Sequence, residues 1–192
     1  MRSIYSAAER LEQTCLGLDS VRKHVPDACV ILLENSTLTD QAADQLLRRV
    51  DWLVSFVADP LAVSLRDGNH KGAAEAFMLA SAVIALRKAD YPVLLKLSGR
   101  YHLSDRFDLG SFPTSGFGVH ISGGVPSTRL YSVAKDSEER YIHQLRRALW
   151  RTSRGRSIEQ ALFRGVPARA FHCMDVVGVT GLVAVSGDAI DE

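Results

Sequence analysis

The chain has 192 residues, of which 46% are hydrophobic and 23% charged, and its formal net charge is +1. This length and composition predict one soluble globular domain whose core is large enough to fold without metal or disulfide staples. The near-neutral charge argues against a nucleic-acid partner, and no run approaches the ~20 apolar residues of an integral membrane helix.

The three cysteines are widely spaced, at Cys15, Cys29 and Cys173. They form no C-x-x-C pair and no Cys/His pattern of the kind that holds structural zinc. The N-terminus lacks the basic region followed by an apolar stretch that marks a signal peptide. These features predict a protein of the reducing cytoplasm, with peripheral membrane attachment left open.

Strand-like and helix-like segments alternate over the first hundred residues. Apolar or extended-type runs predict strands in "RSIYS" (2–6), "ACVILLENS" (28–36), "DWLVSFV" (51–57) and "YPVLLKLSG" (91–99). Helical spacing predicts helices over 8–25, 39–50 and 68–89, the second with Thr39 as N-cap. Such alternation predicts a three-layer α/β/α fold around a mainly parallel, doubly wound sheet, with helices on both faces.

The regular alternation ends after Tyr101. Residues 104–133 contain short β-like pieces among glycines and prolines, and two helices are predicted over 136–153 and 155–166. A β-hairpin or strand pair over 168–188 is expected to close the chain. With no linker or repeat, we expect a single domain over 1–192, made of a nucleotide-binding α/β half (1–103) and an irregular, β-containing half (104–192).

Polar residues follow three of the predicted strands. They are Glu34, Asn35 and Ser36 after the second strand, Asn69, His70, Lys71 and Gly72 beyond the third, and Ser98, Gly99 and Arg100 after the fourth. Open α/β sheets bind ligands outside the carboxyl ends of their strands. Glycine permits close backbone approach, and a cation beside a helix N-terminus suits an anion such as a diphosphate. The pattern therefore predicts an anion-binding site at this edge.

Each of these features also has an ordinary structural interpretation. Glu34 can close a turn, Lys71 can be solvated, and Arg100 can pair with Asp105 or Asp108. Five arginines between positions 146 and 156 can form a solvated helix face or a local phosphate or acidic-sugar site, but they are too few for a duplex. The chain has no Walker loop, G-x-G-x-x-G, G-x-S-x-G or H-E-x-x-H motif.

The order of these segments resembles the small GT-A-type glycosyltransferases, which bind nucleotide-diphospho sugars. "SIYSAAERLEQT" and "ACVILLENS" look like that family's opening unit, and "LRDGNHKGAAEAF" looks like its donor-side helix. The resemblance implies donor contacts from Ser6, Arg10, Glu34, Asn35, Asn69, Lys71, Ser98, Gly99 and Arg100. "SIEQALF" resembles the later helix whose acidic residue, here Glu159, acts as catalytic base, so 104–192 becomes the acceptor-side half.

The chain departs from that family at "KLSGRY", where Ser98, Gly99 and Arg100 stand in place of Asp-x-Asp. Two carboxylates hold Mg²⁺ or Mn²⁺ through hard oxygen ligands, which a guanidinium cannot supply. A guanidinium can instead neutralise a leaving diphosphate directly. We therefore expect no metal and no other cofactor, with the nucleotide sugar as co-substrate.

The resemblance implies a glycosyltransferase that moves a sugar from a nucleotide-sugar donor to a glycan or other hydroxyl acceptor. A non-catalytic nucleotide- or glycan-binding module of the same fold is the main alternative, because the metal motif is missing. A nucleotidyltransferase or phosphotransfer enzyme is a third possibility, although the carboxylate pair that such chemistry needs is not evident. No nucleic-acid partner is expected, and the sequence leaves the oligomeric state open.

Overall fold

The computed structural model describes residues 4–68, 70–182 and 187–192. The helices in these residues are α1 (Ala7–His24), α2 (Asp40–Leu47), α3 (Pro60–Asp67), α4 (Lys71–Ala85), α5 (Glu138–Thr152) and α6 (Ile158–Leu162). The strands are β1 (Ile31–Glu34), β2 (Trp52–Ser55), β3 (Val93–Leu97), β4 (Tyr101–Leu103), β5 (Phe117–Ser122), β6 (Val125–Ala134), β7 (Phe171–Cys173), β8 (Val179–Leu182) and β9 (Ala189–Asp191).

The helix N-termini follow local capping chemistry. Ser6 caps α1 through a reciprocal box, in which its hydroxyl accepts from the Glu9 amide and its own amide donates to Glu9 Oε2 at 2.7 Å. Thr39 caps α2, as predicted from the sequence. Helix α3 was not predicted, although Asp59 at its N-cap and Pro60 at its first position are typical of a helix start.

The predicted first strand is wrong for the part of it that the structure describes. Residues 4–6 form a bend and the N-cap of α1 rather than a strand, and residues 2 and 3 lie outside the described residues. A serine that opens a capping box favours the extended backbone of a single N-cap position. The extended-type residues before α1 therefore indicate the start of this helix and not a strand.

The predicted mainly parallel, doubly wound sheet is also wrong. The described strands form three small sheets, with orders β1-β2, β3-β6-β5-β7 and β4-β8-β9. Only the β1–β2 and β5–β7 pairs are parallel, and the other described pairs are antiparallel. The fold is mixed α/β, without the sheet of a GT-A glycosyltransferase.

Strand β3 shows why the alternation misled the prediction. It pairs antiparallel with β6, in register from Val93 opposite Ala134 to Leu97 opposite Leu130. Strand β6 has 10 residues and continues from the β5–β6 hairpin, whereas β1 and β2 have only 4 each. Strand β6 therefore forms the hydrogen bonds with β3 that a parallel neighbour would form in a doubly wound fold.

Two hydrophobic clusters lie on opposite sides of the β3-β6-β5-β7 sheet. On one side α4, α5 and α6 pack over aromatic side chains of the sheet. Phe117 and Tyr131 of the sheet and Tyr141 of α5 are fully buried there. On the other side Leu130 packs with residues of β4, β8 and their loops. A third cluster joins α1, α2 and β1.

Helix α1 lies against β4 at very short range. A Cβ built on Gly17 would come within 2.7 Å of the Tyr101 carbonyl oxygen, so glycine permits this approach. The contact brings the first turns of α1 beside the turn between β3 and β4. No helix in the described parts of the chain is long and apolar enough to cross a membrane.

Candidate functional site

The turn between β3 and β4 is anchored on both sides. The Ser98 amide donates to the Arg129 carbonyl at 2.8 Å, which continues the β3–β6 ladder by one residue. On the other side, Thr14 Oγ1 of α1 donates to the Gly99 carbonyl at 3.0 Å. These bonds fix the backbone from which Arg100 projects.

Three cationic side chains from different parts of the chain gather beside this turn. Arg100 comes from the turn itself, Lys71 is the first residue of α4, and Arg10 lies in α1. Loss of water around the ammonium and then the charges of Arg100 and Arg10 hold the pKa of Lys71 below its usual value. Burial is the main cause that lowers the pKa of Arg100; the charge of Arg10 lowers it as well, while Tyr101, Tyr5 and Glu75 act in the opposite direction. We call these three residues the cation cluster.

Arg100 is half-buried, and among the described residues no carboxylate forms an ion pair with it, although the charge of Glu75 acts on it at longer range. Its Nη1 atom is buried and has no hydrogen-bond partner among the described residues. The predicted structural pairing with Asp105 or Asp108 does not occur, because Asp105 binds Lys23 at 2.8 Å and Asp108 accepts from the Gly110 amide. A buried guanidinium N–H without an acceptor is costly, and an anionic ligand would satisfy it.

A buried lysine lies directly beneath the cation cluster. Lys96 is only 7% exposed, and its ammonium contacts Glu75 Oε1 at 2.5 Å, Ser98 Oγ at 2.6 Å and the Thr128 carbonyl at 2.6 Å. These three acceptors match the three N–H donors of an ammonium. Glu75, the nearest acid to the cluster on α4, is therefore committed to Lys96.

Lys96 was not predicted from the sequence. A signal was available: Lys96 and Ser98 are two residues apart on a strand, so their side chains share one face of an otherwise apolar run. Next to Lys96 on the helix side lies Tyr131, whose hydroxyl is 2.5 Å from that of Tyr141. Burial raises the pKa of both tyrosines, which keeps these phenols neutral.

Glu159 is connected to the same turn through Thr128. Its Oε1 accepts from Thr128 Oγ1 at 3.1 Å, while the Thr128 carbonyl accepts from Ser98 Oγ at 3.1 Å. Glu159 and Thr128 line a cavity of about 160 Å³ beside the β5–β6 hairpin. Ser122, Ser127 and Arg129 also line it. The cavity places a half-buried carboxylate against a space open to a small polar group.

The other predicted site residues have local roles. Glu34 Oε1 accepts from the amides of Asn35 and Ser36 and from the Ser36 hydroxyl, so this carboxylate closes its own turn. The Asn35 carbonyl accepts from Arg66 at 2.6 Å. Ser6 uses both its hydroxyl and its amide in the α1 cap. Asn69 lies outside the described residues.

Gly99 was predicted to allow close backbone approach, yet the structure shows space around it. A Cβ at this position would have Thr14 Oγ1 as its nearest neighbour, at an ordinary 3.8 Å. The described residues contain no group of three or more His, Cys, Asp or Glu side chains that could hold a metal ion. Metal independence stays a prediction from the Ser98–Arg100 sequence.

Comparison with known proteins gives no family assignment. No protein-family model matches the chain, and no curated protein matches it. The resemblance to glycosyltransferases therefore rests on sequence segments alone, and the sheet that it implied is not the one observed.

Proposed function

We propose that the chain binds the diphosphate of a nucleotide-sugar donor at the cation cluster of Arg10, Lys71 and Arg100. The observation that carries this proposal is the buried Nη1 of Arg100, which has no hydrogen-bond partner in the described part of the chain and lies beside two further cations. Like charges repel, and the acid next to them is paired with Lys96. A diphosphate would add negative charge beside these cations and several oxygen acceptors for charge-assisted hydrogen bonds, including one for Arg100 Nη1.

We further propose that the bound donor reacts with a hydroxyl acceptor placed in the cavity beside Glu159. The acceptor oxygen attacks the anomeric carbon, the bond from that carbon to the phosphate oxygen breaks, and the hydroxyl proton passes to the Glu159 carboxylate. The nucleoside diphosphate leaves with the bonding electrons, and the cation cluster neutralises the charge that develops on it. Hydrogen bonds through Thr128 connect Glu159 to Ser98, which lies two residues before Arg100 in the same turn.

A non-catalytic binding module is the second candidate function. One observation favours it: Glu159 already accepts a hydrogen bond from Thr128 and lies in the first turn of α6. An acid at that position stabilises a helix N-terminus, so the carboxylate has a structural use that needs no reaction. In this reading the cation cluster binds the nucleotide and no sugar is transferred.

Glu159→Gln separates the two functions. If the chain is an enzyme with Glu159 as base, turnover falls on the order of 100-fold or more, while donor affinity measured by calorimetry stays unchanged. Asp27→Asn, at an exposed position in the turn after α1, is the charge-matched control and should retain full turnover. Transfer is measured by mass spectrometry of products from a panel of nucleotide sugars and hydroxyl acceptors.

The contradicting results differ for each part of the proposal. Turnover that survives Glu159→Gln shows that Glu159 is not the base. Wild-type protein that binds nucleotides but transfers no sugar across the panel favours the binding module. Wild-type protein that binds no nucleotide or nucleotide sugar contradicts both functions.

A further inference from the structure

Helix α5 presents a basic face to solvent. Its apolar side is buried against the core through Tyr141, Ile142, Leu145 and Ala148. The opposite side carries exposed or partly exposed residues at helical spacings of three and four, which places them on one face. These residues are His143, Arg146, Arg147, Trp150 and Arg151, with Arg154 in the turn that follows. We call this set the α5 face.

The positive charge of the α5 face is not balanced by acids. Within the described residues, Arg146, Arg147 and Arg154 form no ion pair, and the two acids of α5 lie at its other end. There Glu138 pairs with Lys135, and Glu139 pairs with Arg87. Cations in the last helical turn are favoured by the helix dipole, but that preference does not extend to the two central arginines.

Arg151 shows how closely the cations are crowded. Its guanidinium donates to the carbonyls of Ala161 at 2.9 Å and Arg164 at 3.2 Å, so backbone oxygens hold it in place. Burial and then the charges of Arg147, Arg164 and Arg156 lower its pKa. The positive region therefore extends beyond α5 onto the loops around α6.

An exposed tryptophan lies in the middle of these cations. Trp150 is 57% exposed, although its large ring would gain from burial. The Arg154 guanidinium lies 3.6 Å from the ring centroid, so one face of the indole is covered by a cation–π contact. The ring and the arginines border an open cleft of about 390 Å³.

We propose that the α5 face docks the protein onto an anionic phospholipid surface, with its arginines against lipid phosphates and Trp150 at headgroup depth. Arginine side chains close to such a surface contribute binding energy additively, and tryptophan is enriched at membrane–water interfaces. Because the apolar side of α5 is occupied by the core, the helix itself does not insert. Attachment is therefore electrostatic, sensitive to salt, and reversible.

The geometry favours a lipid surface over a nucleic acid. Residues 143–152 extend about 14 Å along α5, and Arg154 lies in the turn that follows. This short array of cations suits a flat array of phosphates better than a duplex, whose phosphates curve away along the groove. Single strands bind through bases stacked on open aromatic faces, whereas Arg154 already covers one face of Trp150. The net charge of +1 also supplies no wider positive field. This inference does not depend on the proposed catalytic function.

Vesicle co-sedimentation with the full chain tests the proposal. The probes are vesicles of phosphatidylcholine alone and of phosphatidylcholine with 30% phosphatidylglycerol. A triple variant, Arg146→Gln, Arg147→Gln and Arg154→Gln, should lower the partition coefficient onto anionic vesicles on the order of 100-fold. The control variant Arg48→Gln, Lys88→Gln and Arg169→Gln removes the same charge from exposed positions elsewhere and should bind like the wild type.

Tryptophan fluorescence gives a second, independent readout. In a Trp52→Phe background, anionic vesicles should shift the emission of Trp150 to shorter wavelength, and neutral vesicles should not. Equal binding to both vesicle types, equal losses in the two triple variants, or an unshifted Trp150 would overturn the proposal. So would binding of a single-stranded oligonucleotide that depends on the three arginines while vesicle binding is absent. Unchanged melting temperatures verify that both triple variants are folded.

Discussion

Lys96 connects the hydrophobic core to the candidate site. Its ammonium is paired with Glu75 of α4 and also holds Ser98 and Thr128, the residues that lead to Arg100 and Glu159. A buried charge pair of this kind adds little net stability compared with apolar residues, but removal of one partner is expensive. The pair therefore orients the residues around it more than it stabilises the fold.

Lys96→Met should destabilise the protein by about 3 kcal/mol, because it leaves the partly buried Glu75 carboxylate without its cation. The double variant Glu75→Leu, Lys96→Met should recover most of that loss, since neither charge remains. Urea unfolding of the wild type, both single variants and the double variant measures the coupling. A single-variant cost below about 0.5 kcal/mol, or no recovery in the double variant, would show that the pair is not an integral part of the core.

For individual residues, the sequence indicated which side chains are polar groups near strand ends, but it did not indicate which other residues they contact. Lys71 and Arg100 were chosen from local position, and the structure brings them together with Arg10. Glu34 was chosen by the same reasoning, yet its carboxylate satisfies amides of the next two residues. The same local sequence allows an acid at a strand end either to close its own turn or to face a ligand. The local pattern alone therefore does not distinguish a structural acid from a ligand-binding one.

Among the secondary-structure elements, α1 determines whether the site can form. It carries Arg10 and Thr14, and it reaches the β3–β4 turn only because Gly17 allows contact with the Tyr101 carbonyl. Helix propensity alone favours alanine over glycine at such a position by about 1 kcal/mol. The tertiary contact therefore acts against the local preference.

Gly17→Ala should destabilise the protein by about 1 to 3 kcal/mol, because the new methyl group would lie 2.7 Å from a backbone oxygen that cannot rotate away. Gly99→Ala is the matched control, since its Cβ would meet only Thr14 Oγ1 at 3.8 Å, and should change stability by less than about 0.5 kcal/mol. Thermal unfolding measures both. A Gly17→Ala variant as stable as the wild type would mean that α1 does not approach β4 so closely.

The described helices other than α3 were predicted because their signals are local. Thr39 at an N-cap and the apolar spacing of α1, α4 and α5 identify helices with no knowledge of neighbours. Strand partners are not encoded in this way. Strand β3 has the same apolar pattern whether it pairs with a parallel neighbour or, as observed, with β6 more than thirty residues later.

In the molecule as a whole, the candidate site depends on three contacts between segments that are distant in sequence. Helix α1 comes against β4, the N-terminus of α4 comes beside the β3–β4 turn, and α6 comes against β6 through Glu159 and Thr128. None of these follows from periodicity, because each joins segments separated by tens of residues. The doubly wound fold predicted a ligand edge for a different reason, so Lys71 and Arg100, which the structure brings together, were chosen on an architecture that the structure contradicts.

Isothermal titration calorimetry with nucleoside diphosphates most directly tests the claim that the cation cluster binds a diphosphate. We predict that at least one of uridine, guanosine, adenosine or cytidine diphosphate binds the wild type. Arg100→Met should weaken that binding at least about tenfold, since it removes a charge-assisted hydrogen bond, while Arg48→Met leaves it unchanged. The same affinity in Arg100→Met as in the wild type, or no binding of any diphosphate to the wild type, would contradict the account.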